Sequence, residues 1–111
     1  MRRFKYRNKP TEVDGHRFAS KLEAARYQEL RLMERAGEIS GLTLQPRFKL
    51  IVGDTLICTY VADFHYLDAK TQQVVTEDVK GMLTPEFKLK AKLMKACLGI
   101  DVTLVRKKGA A

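Results

Sequence analysis

Val74-Val75-Thr76-Glu77-Asp78-Val79-Lys80-Gly81 reads as a short buried strand that ends by presenting a carboxylate and an ammonium. The valines are β-branched and apolar, which suits a half-buried or fully buried strand. Side chains alternate along a strand, so Asp78 and Lys80 project from one face and Val79 from the other. Taking such an acid–base pair out of water is costly, and the pairing alone need not stabilise a fold. The plain alternative is an ion pair at the solvated end of an edge strand. Which reading holds depends on whether other carboxylates converge on this strand end.

Upstream, Asp68 to Gln73 is a polar loop that closes a hairpin onto this strand. Before it, Thr55 to Tyr66 is predicted as one strand, carrying Leu56, Ile57, Cys58, Tyr60, Val61, Phe64 and Tyr66. Asp63 sits inside it, and a carboxylate within so apolar a run calls for a reason. Gly53-Asp54 is a tight turn. Gly41 to Val52 is the preceding strand, interrupted by Gln45-Pro46 and therefore an edge strand or a bulged one. Downstream, Thr84-Pro85-Glu86 starts a helix: a cap, a proline at the first helical position and an acid at the positive dipole end. That helix runs to about Leu98, with Phe87, Leu89, Leu93, Met94, Ala96 and Cys97 as its apolar side. Gly99 stops it, and Ile100 to Val105 alternates as a last strand.

Near the N-terminus, Asp14-Gly15 is a turn and Ser20 opens a helix to about Ala36. Ser20-x-x-Glu23 matches a capping box. Leu22, Ala25, Leu32, Met33 and Ala36 are expected to form its broad apolar face. Glu23 shares a second stripe with Tyr27 and Leu30. The predicted order is helix, three strands, helix, strand. The first three strands form an antiparallel meander, and the last returns through a crossover helix to pair in parallel.

The chain has 111 residues, enough for one domain. Residues 1–12 are expected to be a basic N-terminal arm and 106–111 a basic tail. No apolar run approaches the ~20 residues needed to span a bilayer, and no signal-like apolar segment follows the basic start. Cys58 and Cys97 lie far apart without a CxxC pair, which argues against zinc and for reduced thiols in a cytoplasm. Lys and Arg total 21 against 13 acidic residues, a net charge of +8. So basic a small chain favours a polyanionic partner, nucleic acid ahead of membrane. Arg2 and Arg3, interleaved with Phe4 and Tyr6 among further basic residues, are candidate phosphate contacts or part of a solvated tail. Lys88, Lys92 and Lys95 line one helix face, as phosphate contacts or as a solvated row.

Glu23, Asp63 and Asp78 are thus three acids in odd places, and Asp63 and Asp78 lie on consecutive antiparallel strands. Like charges that close need a cation, or Lys80, to compensate. Carboxylates and water oxygens form a ligand set that suits Mg²⁺.

The arrangement resembles the PD-(D/E)XK nuclease superfamily, whose common core has this order of elements. Asp63 stands at the motif's first Asp, with Ala62 in place of its Pro. Asp78-Val79-Lys80 stands at the (D/E)XK part, and Glu23 at the helix glutamate of several branches. The wider frame Phe18-x-Ser20-x-x-Glu23, Gln45-Pro46, Tyr60-x-x-Asp63-Phe64 and Glu77-Asp78-Val79-Lys80-Gly81 looks like a group of small phage-encoded nucleases. It is also similar to very-short-patch repair endonucleases, to a transposon end-cutting nuclease and, more loosely, to Holliday-junction resolvases. The likeness spans about residues 13–105.

The resemblance implies an α/β restriction-endonuclease-like core, a mixed sheet flanked by helices. It implies a Mg²⁺-dependent DNA endonuclease, with Mn²⁺ able to substitute, structure-selective on branched or recombining DNA in the manner of a Holliday-junction resolvase, and acting in the cytoplasm or, if phage-encoded, in that of a host. Asp63, Asp78 and Glu23 would hold the metal, and Lys80 would be catalytic with them. Gln45, Glu77 and His65 would be outer partners. Glu77 takes over from Asp78 if the register slips by one, and His65 reads more readily as a surface histidine. Resolving a junction needs two cuts, so a homodimer is expected, with Leu22, Ala25 and Met33 or the Phe4–Tyr6 arm at the contact. The competing readings are a non-catalytic nucleic-acid-binding module of the same fold, a nuclease without branch preference, and a basic RNA-binding protein.

Overall fold

A computed structural model describes residues 10–106. Strands β1 (Thr11–Val13) and β2 (His16–Phe18) form a small hairpin, followed by helix α1 (Lys21–Arg35). Strands β3 (Ile39–Leu44), β4 (Arg47–Val52), β5 (Thr55–Val61), β6 (Phe64–Asp68) and β7 (Gln73–Lys80) come next, then helix α2 (Pro85–Leu98) and strand β8 (Val102–Arg106). The fold is α/β. A mixed four-stranded sheet runs β3-β6-β7-β8, with the β7–β8 pair parallel and the others antiparallel.

Local chemistry accounts for the boundaries. Asp14 and Gly15 both take positive φ, 53° and 79°, as the tightest hairpin turns demand. Ser20 caps α1 by accepting the Glu23 N–H at 3.1 Å, and Thr84 caps α2 by accepting the Phe87 N–H at 3.1 Å. Gly99, with φ 70°, closes α2 in the left-handed conformation that glycine enters without a Cβ penalty.

The two long strands expected over 41–52 and 55–66 are each broken in two. Gln45 adopts φ 51° and Pro46 is buried, so the first bends away from the main sheet after Leu44. Its partner bends at Ala62-Asp63. Hydrogen bonds from Gln45 N–H to the Asp63 carbonyl (2.9 Å) and from Ala62 N–H to the Pro46 carbonyl (3.1 Å) carry the pairing through the corner. The meander survives as a bent hairpin, with β3 on β6 and β4 on β5. Asp63 therefore stands at the corner rather than within a strand.

Each half of the hairpin has its own core. Phe18, Ala24, Tyr27, Leu30, Ile39, Phe64 and Tyr66 pack α1 against the main sheet. Leu50, Tyr60, Ala62 and Met94 pack α2 against the β4–β5 arm, with Phe48, Cys58 and Cys97 around them. A fully buried side chain such as Leu30 or Phe64 contributes about 1.5–3 kcal/mol.

The face expected to be buried on α1 is buried only in part, at the half-buried Leu22 and at Met33, which packs against the core. The stripe through Glu23, Tyr27 and Leu30 is buried, whereas Ala25 and Ala36 are exposed and Leu32 is 63% exposed. On α2, Leu89 and Ala96 are likewise exposed. Thr11 and Glu12 belong to β1 and Arg106 to β8, so the expected arm and tail are shorter than 1–12 and 106–111. Arg2, Arg3, Phe4 and Tyr6 lie outside the described residues. Among the described residues, no helix is long and apolar enough to cross a membrane.

Candidate active site

At one end of the main sheet the last residue of β3, the corner before β6, and the C-terminal ends of β7 and β8 come together. Phe64 pairs with Glu77, so Asp63 and Asp78 face each other one register step further on. The Asp63 N–H donates to the Glu77 carbonyl at 3.1 Å. The Val79 N–H donates to Asp63 Oδ2 at 2.7 Å, which fixes that carboxylate across the strand ends. The first turn of α1 brings Glu23 to the same end, where the helix N-terminus favours negative charge.

Burial, more than repulsion, sets the electrostatics. Glu23 is 8% exposed and Asp78 2% exposed. Loss of hydration pushes Glu23 up to about 7, and repulsion from Asp63 and Asp78 adds to it, while Lys80 pulls the other way. Loss of hydration also raises Asp78 to about 6 against the opposing pull of Lys80. Asp63 is raised by burial too, with the Val79 N–H and Lys80 opposing. The three acids and Lys80 thus form one electrostatic unit. Lys80 Nζ sits 4.9 Å from the centre of the Phe87 ring, so α2 positions the ammonium through a cation–π contact. Asp78 Oδ2 is removed from water and has no hydrogen-bond partner. A bare carboxylate oxygen in such a place is costly unless a cation or a bound group meets it.

A cavity of about 230 Å³ opens onto this end, lined by Glu23, Asp63 and Gln45 together with His16, Arg17 and Leu44. Gln45 reaches the site because its left-handed backbone turns the strand there. Glu77 does not reach it. It lies on the opposite face, where Arg26 grips it with Nε to Oε1 at 2.9 Å and Nη2 to Oε2 at 2.6 Å, and where the Tyr66 hydroxyl also donates to it. That commitment removes the one-residue register slip, and Asp78 is the acid presented at the strand end. His65 is half-buried and packs edge-on against Phe48 at 6.2 Å, and it does not line the cavity.

The capping box is half formed. Ser20 accepts from Glu23 N–H, but no hydrogen bond from the Ser20 N–H to the Glu23 carboxylate occurs among the described residues. The Glu23 carboxylate instead accepts from the backbone of Ala19, one residue before the cap, and faces Asp63 and Asp78. Lys88, Lys92 and Lys95 are exposed, and Lys95 pairs with Asp101 at 2.9 Å. Sequence reasoning passed over His16 and Arg17, which the Asp14-Gly15 turn swings over the cavity. It also took Arg106 for tail, although the parallel register sets Arg106 beside Lys80. The turn signal was visible, but where it would fold was not.

Among the described residues, no three His, Cys, Asp or Glu side chains are grouped closely enough to cage a metal by themselves. The bare Asp78 oxygen nevertheless suits a cation, and Asp63 beside it and Glu23 across the cavity are the residues that would share it. No curated protein and no solved structure matches the chain. Residues 3–105 match the family described as "Protein of unknown function (DUF1064)", and the chain belongs to that family.

Proposed function

We propose that this protein is a Mg²⁺-dependent DNA endonuclease with a restriction-endonuclease-like core. The observation that carries the reading is Asp78: a nearly inaccessible carboxylate with an unpartnered oxygen, opposite Asp63 and coupled to Glu23 and Lys80, in a chain of net charge +8. Three acids with raised pKa values around one lysine are an expensive arrangement for a fold, and such clusters gather at functional sites. The order of elements and the parallel return of β8 are compatible with the resemblance seen in the sequence.

Asp63, Asp78 and Glu23 would hold the metal. When bound, Mg²⁺ supplies positive charge that offsets the negative charge gathering on the phosphate oxygens. Lys80, steadied on Phe87, orients the attacking water and adds a second positive group. Burial and the neighbouring Asp63 and Asp78 raise the pKa of Glu23, and a cation held there would favour its charged form. In the reaction the water oxygen bonds to phosphorus, one ester P–O bond breaks, and the departing oxygen gains a proton. Gln45 and Arg17 line the approach, where they contact the backbone of the bound strand. Lys88 and Lys92 extend the basic surface, and a homodimer supplies the two sites that paired cuts require.

The test is incubation with nicked, linear, forked and four-way DNA, with and without Mg²⁺. Metal-dependent cutting that is lost in Asp63→Asn and Asp78→Asn supports the reading. A protein that binds these DNAs and cuts none of them under any divalent ion would be a binding module of the same fold.

A further inference from the structure

We propose that the trough next to the carboxylates is a subsite for one unstacked nucleobase of the strand being cut. This deepens the nuclease reading and rests on it. Two cavities lie side by side. The one at Glu23 and Asp63 shares His16 and Leu44 with a second, of about 310 Å³, that runs away from the acids between the β1–β2 hairpin, α1 and β3. That volume lies at the lower end of the ~300–1,000 Å³ in which ligand clefts hold small molecules. A nucleotide whose phosphate sits at the acids therefore has a neighbouring recess for its base.

The chemistry of the recess selects a neutral, planar group. Leu42 and Leu44 supply apolar surface, and the exposed His16 ring, set edge-on to Tyr27 at 5.5 Å, supplies a flat face to stack on. Around them stand one guanidinium, Arg31, and two carboxylates, Asp14 and Glu34. With more negative than positive charge in its lining, the recess disfavours a second phosphate. Most of the polar capacity is already engaged. Asp14 accepts from the Tyr27 hydroxyl at 3.0 Å, and Glu34 accepts from Arg31 Nη1 at 2.8 Å and from Leu42 N–H at 3.3 Å. Arg31 Nε is the exception. It is shielded from water without a hydrogen-bond partner, and Asp14 Oδ2 lies 4.0 Å away. That nitrogen faces Asp14 rather than the recess, but the Arg31 side chain as a whole is 39% exposed, so its outer guanidinium N–H groups can donate to a base carbonyl or ring nitrogen.

A base can enter only if it has left the helical stack. Extruding a paired base costs a few kcal/mol, and an unpaired one comes at least cost. The recess therefore selects DNA with an unpaired nucleotide beside the bond to be cut, as at a fork, flap or junction, and it does so without reading sequence in a groove.

Forked substrates carrying a single abasic position, moved one nucleotide at a time past the cleavage site, test this by kcat/KM. The wild type should lose about tenfold at one position, the loss expected for removing one stacked base. The ratio of intact to abasic rates should fall towards one in Arg31→Leu and in His16→Ala. Indifference to every abasic position overturns the subsite while leaving the nuclease intact. A second readout needs no cutting. In EDTA, titration with a short single strand should shift the Tyr27 and Leu42 NMR signals, which belong to the recess alone, and the same strand made wholly abasic should not. Shifts without cutting on any DNA would sink the nuclease reading alone, and no shift from either strand would sink the subsite.

Discussion

Asp78 carries a desolvation cost that no neighbour relieves at its Oδ2 atom. Its folded pKa, like that of Glu23, lies above the unfolded value, so the folded chain holds these protons more tightly than the unfolded one. The sign follows from linkage: each acid costs nothing below its unfolded value, and its penalty grows as pH rises through the folded value. Between about pH 4 and about pH 7 both groups therefore erode stability in EDTA. Asp78→Asn should leave the protein more stable than wild type at the top of that window, by roughly 1–2 kcal/mol once solvent screening is allowed for, and no more stable at the bottom. Thermal melts across that pH range measure the difference. Mg²⁺ should restore stability to the wild type above pH 7 and not to Asp78→Asn, and equal melting shifts in both would take Asp78 out of the metal site. Glu77 is the opposite case. It is 1% exposed but fully partnered by Arg26 and Tyr66, so Arg26→Ala strands a buried charge. Urea titration should show a loss of about 3–5 kcal/mol, and a loss under 1 kcal/mol would mean that the pair is solvated after all.

The N-terminus of α1 does two jobs with one turn of helix. Ser20 satisfies the Glu23 N–H, which fixes the turn from which the Glu23 carboxylate reaches the strand ends. Ser20→Ala should cost about 1 kcal/mol of stability, the usual value of a cap. Because the loosened turn also carries Glu23, kcat should fall by more than the small loss of stability explains, with KM nearly unchanged. Unchanged kcat would show that the sheet end alone places the acids. The bent hairpin is the second device. Left-handed backbone at Gln45 costs a non-glycine residue roughly 1–2 kcal/mol. The corner hydrogen bonds and the buried Pro46 hold that strain, and its result is Asp63 at a corner where its side chain meets Val79 N–H.

Across the whole molecule the net charge of +8 favours a polyanionic partner, and for the nuclease proposed it would set how DNA is met before any residue chooses a bond. Binding should weaken steeply with salt, by about 0.9 in log K per tenfold salt for each phosphate contact to duplex. Lys88→Ala with Lys92→Ala should lower affinity alike for all sequences and flatten that slope by about 1–2, measured by anisotropy in Ca²⁺. An unchanged slope would return the row to bulk solvent. Light scattering should give a dimer at working concentration. Met33 packs against the chain's own core, which leaves Ala25 and the half-buried Leu22, beside the exposed Leu32, for the contact expected on α1. A strict monomer that cuts linear duplex as readily as junctions would leave a nuclease without branch preference.

Local signals sufficed for the elements. Ser20, Thr84-Pro85, Gly99 and Asp14-Gly15 act on their own backbone within a few residues, so both helices, their caps and the first turn were legible from the order of residues alone. The oddness of Asp63, Asp78 and Glu23 was legible too, because an acid in an apolar run is costly wherever the run folds. Three things were not. Which stripe of α1 is buried depends on what it packs against, and the sheet took the one with Tyr27 and Leu30 over the richer-looking stripe with Leu32. The split of the long strands depended on Gln45 and Ala62-Asp63 bending together, a cross-strand agreement that neither segment encodes alone. The placement of His16, Arg17 and Arg31 at the cavities, and of Glu77 on Arg26, required chain segments distant in sequence to meet. Such contacts carry no periodic signature, since periodicity reports which way a side chain points and never what it will find there.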